Sequence, residues 1–129
     1  MSRSFVRRHQ NLEVYRMAFE GAMALFETSK QFPHAEKYSL TDQVRRSSRS
    51  VCANLAEAWR KRLYEAAFVA KLTDCAAEAS ETQTWIEFAV QCQYVDAATG
   101  KQLSQTYDRI LGMLTTMIRS PQKWLLPKP

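Results

Sequence analysis

The strongest constraint on this chain is a long apolar repeat in its second half. The repeat positions are separated alternately by four and three residues, close to the heptad spacing of packed helices. They are Phe68, Leu72, Cys75, Ala79, Thr82, Ile86 and Ala89. This spacing keeps one stripe of a helix buried along its whole length, so the chain must supply partner helices that cover the stripe.

Three further segments show helical periodicity. The sequence predicts helices at about residues 12–30, 40–63, 64–92 and 96–119, followed by a tail at 120–129. Pro33 ends the first helix, because proline disfavours helix in the residue before it. Ser39 or Thr41 can cap the second helix, and Asp96 can cap the fourth.

Composition excludes the main alternative to a helical fold. The 129 residues include only 3 Gly and 4 Pro, too few for the many tight turns of a β-sandwich or barrel. The length suits one domain. We therefore predict a single domain over residues 1–129 that is all-α, an antiparallel up-down-up-down four-helix bundle.

Hydropathy and cysteine usage indicate the compartment. The sequence has no run of about 18 apolar residues, and its first residues lack an apolar signal stretch. We expect a soluble, cytoplasmic protein with no membrane partner. Cys52, Cys75 and Cys92 form an odd set without CxxC spacing, so we expect small buried residues in a reducing compartment, neither disulfides nor a metal site.

Charge is segregated along the chain, whose net charge is +5. Residues 41–63 carry six bases against two acids, whereas residues 64–99 carry one base against six acids. A row of bases on one helix can follow a nucleic-acid backbone without reading its sequence. The candidate nucleic-acid-binding residues are Arg45, Arg46, Arg49, Arg60, Lys61 and Arg62.

Three other interpretations of these bases remain open. The first three arginines can pair with the acidic third helix of a neighbouring subunit, and Arg60, Lys61 and Arg62 can complement the dipole at a helix C-terminus. Alternatively, these bases form an unevenly charged surface that is solvated and binds no partner. The partners that follow are RNA or DNA, a second protein, or further copies of this chain.

The sequence does not contain the residues that an enzyme needs in one pocket. Both histidines, His9 and His34, lie outside the predicted helices, and 3 Gly cannot build a phosphate-binding loop. We therefore expect no catalytic residue, no metal site and no cofactor.

Polar and aromatic residues inside the helices suggest structural roles. Asn54 and Glu57 are three residues apart, close enough to share a partner, and with Ser50 they predict a buried polar network that fixes helix register. Large or charged residues at the edge of the third helix and in the tail are interface candidates. These are Glu81, Trp85 and Trp124.

Several stretches resemble a bacterial family of four-helix bundle proteins encoded within intervening sequences of large-subunit ribosomal RNA genes. The run from Ser50 to Glu57, Ser-Val-Cys-Ala-Asn-Leu-Ala-Glu, is similar to the family's Ser-Ile-Pro-x-Asn-Ile-Ala-Glu-Gly. Similar stretches elsewhere extend the resemblance from about residue 12 to about residue 124. They include Leu12–Tyr15, Phe32–Pro33, Tyr38–Arg46, Glu81–Ile86 and Met113–Ile118.

The resemblance implies a homopentameric ring of four-helix bundles. It also implies a relation to the accessory proteins of diversity-generating retroelements, which are basic, bind nucleic acid and contact a reverse transcriptase. Cys52 replaces a common proline and Ala58 a usual glycine, so we expect the second helix to be less kinked and to continue further, toward Arg60, Lys61 and Arg62. The function expected is low-specificity nucleic-acid binding by a non-enzymatic homo-oligomer; the alternative is a protein-interaction module.

Overall fold

The computed structural model describes residues 6–128, and four helices account for most of them. They are α1 at Glu13–Ser29, α2 at Leu40–Arg60, α3 at Glu65–Gln91 and α4 at Ala97–Arg119. Short 3₁₀ turns at His9–Asn11, His34–Glu36 and Pro121–Lys123 lie in the connections and at the ends. No strand occurs within residues 6–128. No helix in this range is long and apolar enough to cross a membrane.

The helices pack in a square. Each helix lies against the next in the sequence, α1 also packs against α4, and the diagonal pairs barely meet. Because the connections are short, successive helices run in opposite directions. This is the predicted all-α, up-down-up-down bundle. The apolar repeat of α3 is buried as expected, since Phe68, Leu72 and Ala79 have no exposed surface.

The helix ends follow local chemistry, with two differences from expectation. Asp96 accepts a hydrogen bond from the Thr99 amide at 2.7 Å and caps α4 as predicted. Ser39 occupies the N-cap position of α2, as predicted, but its side chain makes no capping hydrogen bond. The Glu36 carboxylate instead accepts from the Leu40 amide at 3.3 Å, and hydrogen bonds from Ser39 and Tyr94 help to lower its pKa.

The second helix ends earlier than expected. It finishes at Arg60, and residues 61–63 form a turn. The helix does continue through Ala58 to the first of the three bases, Arg60, but it stops short of the predicted end near residue 63. The third helix ends in a Schellman motif: Gln93 has a φ of 64°, and the Tyr94 amide donates to the Ala89 carbonyl at 2.9 Å.

Small residues allow α2 and α3 to approach closely. Ser47 and Thr82 are both fully buried, and the Thr82 hydroxyl donates to the Ser47 oxygen at 2.8 Å. Of the cysteines, Cys52 and Cys75 are buried free thiols, and burial raises the pKa of Cys52 to about 11 and that of Cys75 to about 12. Cys92 is exposed, so the expectation of a buried residue is wrong there, because α3 ends just before it.

Tyr107 in α4 carries a buried hydroxyl without a hydrogen-bond partner. It fits against Gly21 of α1, where a Cβ would lie 3.1 Å from the hydroxyl oxygen. Burial raises the pKa of this phenol. An unsatisfied buried hydroxyl costs about 1–3 kcal/mol, so its removal is favourable.

Replacing Tyr107 by phenylalanine is therefore expected to stabilise the protein by about 1 kcal/mol, measured by urea denaturation. Tyr94→Phe is the matched control, because the Tyr94 hydroxyl donates to Glu36 at 2.8 Å and its removal costs about 1 kcal/mol. A Tyr107→Phe variant less stable than the parent protein would contradict the assignment of an unsatisfied hydroxyl.

Candidate nucleic-acid interface

Arg45 ties α2 to α1. Its Nε donates to the Ser29 hydroxyl at 2.8 Å, and its guanidinium carbon lies 4.8 Å from the centre of the Phe26 ring. The side chain is half-buried. Arg45 is therefore held within its own chain, and because it is half-buried its charge is less accessible to a ligand than that of an exposed arginine.

Arg46 pairs with the acidic third helix of the same chain. Its Nη1 lies 3.4 Å from Glu78, and its Nη2 is in contact with Glu81. The sequence left pairing with a neighbouring subunit's third helix open, but for Arg46 the geometry makes this contact inside one chain. Such exposed pairs contribute at most about 1 kcal/mol each, and they partly neutralise the cation.

Three of the six candidate cations are both exposed and free of carboxylate partners within residues 6–128. Arg49, Arg60 and Lys61 are exposed. Within the part of the chain that the structure describes, none of them lies within ion-pairing distance of an acidic side chain. Arg49 lies near Phe26, at 5.9 Å from the ring centre. These three are available to an anionic ligand.

Arg62 packs against Trp59 and Trp124 and so helps to hold the C-terminal tail on the bundle. Its guanidinium stacks on Trp59 with its carbon 3.5 Å from the ring centre, and its Nε donates to the Trp59 carbonyl at 2.7 Å. Burial, and secondly the charge of Arg60, lower its pKa. Trp59 also packs edge-on against Trp124. We call Trp59, Arg62 and Trp124 the terminal clasp.

The N-terminal segment brings two more bases beside the end of α2. The Trp59 indole donates to the Arg7 carbonyl at 3.3 Å and so fixes this segment on the bundle. The turn at His9–Asn11 packs against α2. Burial, and then the positive charges of Arg8 and Arg60, lower the pKa of His9. We call Arg7, Arg8, Arg60 and Lys61 the end patch.

The end patch combines residues that lie some 50 positions apart. The excess of arginine near the N-terminus is visible in the sequence, but nothing there places it next to the end of α2. All four side chains are exposed. Their charges add at one end of the bundle, as an electrostatic site for phosphates requires.

The predicted buried network of Ser50, Asn54 and Glu57 is wrong for Glu57. That side chain is 56% exposed, and its carboxylate lies 3.0 Å from Lys71 of α3. Ser50 and Asn54 are half-buried. The polar contact that is buried between α2 and α3 is the Ser47–Thr82 pair, one turn earlier, because that side of α2 faces the core.

The interface candidates divide between two places. Glu81 accepts from Arg46 and from the Trp85 indole, the latter at 3.3 Å, and Trp85 lies 6.1 Å from the half-exposed Phe88 ring. These residues form an outward edge of α3. Trp124 packs back on its own chain in the terminal clasp.

Side chains that could jointly hold a metal are not brought together: residues 6–128 contain no group of three or more His, Cys, Asp or Glu in suitable positions. The fold and surface define a small antiparallel four-helix bundle protein with a cluster of exposed cations, the end patch, at one end. The chain belongs to the 23S rRNA-intervening sequence protein family, whose sequence profile matches residues 10–116. The resemblance inferred from the sequence is thereby confirmed.

A solved structure from Bacteroides thetaiotaomicron supports the family and the fold. It is described as a protein of unknown function from the S23 ribosomal protein family. The two chains are 25% identical, the match covers 83% of this chain and 99% of the other, and the TM-score is 0.75. No protein with a curated description matches the sequence.

Proposed function

We propose that this protein is a non-enzymatic, cytoplasmic homo-oligomer, a pentamer, whose basic surface binds RNA or DNA with little sequence preference. The observation that supports the proposal best is the end patch. Its four bases, Arg7, Arg8, Arg60 and Lys61, are exposed and have no acidic partner among residues 6–128. A nucleic-acid backbone carries condensed cations, and unpaired basic side chains that neutralise its phosphates release these cations with a gain in entropy.

Low sequence preference follows from the kind of groups present. Guanidinium and ammonium groups that contact phosphates position a nucleic acid but do not distinguish bases. Arg49 lies eleven residues before Arg60 on α2, about 16 Å along the helix, so it extends the positive surface toward the bundle's middle. Arg45, Arg46 and Arg62 contribute less, because contacts within the chain already hold them.

A salt titration of nucleic-acid binding tests this function. With a fluorescently labelled RNA, the logarithm of the affinity should fall linearly with the logarithm of salt concentration, at a slope of roughly −0.7 to −0.9 per phosphate contacted. The double variant Arg60→Ala/Lys61→Ala should bind about tenfold more weakly at low salt and lose between one and two units of slope. Fluorescence anisotropy measures both quantities.

The matched control removes two exposed bases from α4, Lys101→Ala/Arg109→Ala, and so changes net charge equally. Its affinity should fall much less than that of the end-patch variant. Equal losses in both variants would show attraction to net charge alone, and no measurable binding at low salt would refute the proposed function.

A protein-interaction module is the second candidate, and the exposed Arg49 favours it. Arg46 already pairs with acids inside its own chain, whereas Arg49 has no acidic partner among residues 6–128 and is available to pair with acids of a neighbouring subunit. In that case Arg49→Ala dissociates the oligomer and nucleic-acid affinity stays unchanged. Light scattering and anisotropy on the same variant distinguish the two candidates.

A further inference from the structure

An open cleft lies over the first half of α2, beside the turn that precedes this helix. Its volume is about 610 Å³, within the range of pockets that hold small organic ligands. Four of the described residues that line it are basic: Lys37 from the turn, and Arg45, Arg46 and Arg49 from α2. Tyr38 also lines it, and this side chain is 84% exposed. We call this site the α2 cleft.

The turn that carries Tyr38 is fixed to the bundle although the ring itself faces solvent. Glu36 lies two residues before Tyr38, and its carboxylate accepts from the Leu40 amide at 3.3 Å. The same carboxylate accepts from the Tyr94 hydroxyl at 2.8 Å. Glu36 therefore joins the turn both to α2 and to the connection that follows α3. The Tyr38 ring is a flat apolar surface on an ordered backbone.

The α2 cleft is positive, because its bases outnumber its acids. Asp42 is the one carboxylate among the described residues that line it. Arg46 is partly neutralised by Glu78 and Glu81 of α3. Arg49 is exposed and has no acidic partner among residues 6–128. Arg49 is therefore the cation of the cleft that is most available to an anionic ligand.

The exposed ring and the bases share one site. A single exposed aromatic side chain is common on protein surfaces and indicates nothing by itself. Here Nζ of Lys37 lies 5.3 Å from the centre of the Tyr38 ring, and the arginines of α2 line the same cleft. Proteins that bind single-stranded nucleic acids combine these groups, since a base stacks on the ring and cations contact the phosphates.

We propose that the α2 cleft binds an unpaired nucleotide of a single-stranded nucleic acid, with its base stacked on Tyr38 and its phosphate at Arg49. The inference rests on the proposed nucleic-acid binding and names the class of nucleic acid that this site takes. A duplex cannot use the ring, because its bases already stack on one another inside the helix. Stacking does not involve the sugar, so RNA and DNA strands bind alike.

The α2 cleft and the end patch lie along the same helix. Arg49 precedes Arg60 by about 16 Å along α2. A strand with one nucleotide in the cleft can extend toward the end patch, whereas a very short strand reaches only one of the two sites. A strand long enough to contact both should therefore bind more tightly than a short one.

Affinities for a single strand and for a duplex of the same sequence test the proposal. The probes are fluorescently labelled and about twelve nucleotides long, as RNA and as DNA. Tyr38→Ala should weaken single-strand binding roughly tenfold, leave duplex binding unchanged and leave the salt dependence unchanged, because no charge is lost. Arg49→Ala should instead weaken binding of both probes and reduce the salt slope by about one unit. Fluorescence anisotropy measures these quantities.

Two variants serve as controls. Tyr38→Phe keeps the ring, so it should bind the single strand as the unmodified protein does. Phe88→Ala removes a ring that is 53% exposed on α3 and does not line the cleft, and it should retain both affinities. Circular dichroism verifies that each variant folds.

The outcomes distinguish this inference from the proposed function. A Tyr38→Ala variant that binds the single strand as tightly as the unmodified protein overturns the inference. A Tyr38→Ala variant that loses the same affinity for strand and duplex also overturns it, because stacking on an unpaired base cannot weaken duplex binding. In both cases the proposed nucleic-acid binding stands. If the unmodified protein binds neither probe at low salt, both proposals are refuted.

Discussion

Replacing Trp59 by alanine is expected to destabilise the protein by about 3–5 kcal/mol, the cost of deleting a large buried aromatic side chain. Trp59 is 5% exposed and stands at the centre of the terminal clasp. Its loss removes the support of the Arg62 guanidinium, the ring contact with Trp124 and the hydrogen bond to the Arg7 carbonyl. The melting temperature should fall by roughly 10–20 °C, which differential scanning calorimetry measures.

The terminal clasp also predicts a local effect of the same variant, on proteolysis of the chain ends. Both chain ends lose their attachment, so trypsin should cut after Arg7, Arg8 and Lys123 faster than in the parent protein. Trp59→Phe is the control, because it keeps an aromatic ring and loses only the indole donor. If the free energy of unfolding of the Trp59→Ala variant falls by less than about 1 kcal/mol, Trp59 is not the anchor of the chain ends that its contacts indicate.

Replacing Gly100 by alanine is expected to destabilise the bundle even though alanine favours helix. Gly100 lies in the first turn of α4, and a Cβ at this position would overlap the Cγ2 atom of Val90 in α3. Overpacking of this kind costs about 1–3 kcal/mol, and the helix-propensity gain of up to about 1 kcal/mol offsets only part of it. We expect a net loss of about 1–2 kcal/mol in urea denaturation.

Two further variants identify the cause. Gly112 lies in the same helix with open space around the position of a Cβ, so Gly112→Ala should stabilise by about 0.5–1 kcal/mol. Val90→Ala removes the methyl group that a Cβ at position 100 would overlap. Gly100→Ala should therefore lower the free energy of unfolding far less in the Val90→Ala background than in the parent chain. A Gly100→Ala variant as stable as Gly112→Ala would contradict the close approach of α3 and α4 at this point.

The candidate surface was only partly predictable. The six bases of the second helix segment were identifiable as a cluster, but their individual roles depend on what each one faces. Arg45 meets Ser29, Arg46 meets Glu78 and Arg62 meets Trp59, and these partners are 3 to 32 positions away in the sequence. Charge counting treats all six alike. Only the packed bundle separates those held inside the chain from Arg49, Arg60 and Lys61.

The sequence by itself determined the helices and the bundle. The repeat from Phe68 to Ala89 fixes a buried stripe because side-chain direction follows helix geometry, which is local, and Pro33 and Asp96 mark helix boundaries by equally local chemistry. The tertiary structure decided what joins across helices: the Ser47–Thr82 contact, the terminal clasp, and the placing of Arg7 and Arg8 beside Arg60. Such contacts depend on helix rotation and spacing within ångströms, and these are set by the combined packing of all four helices.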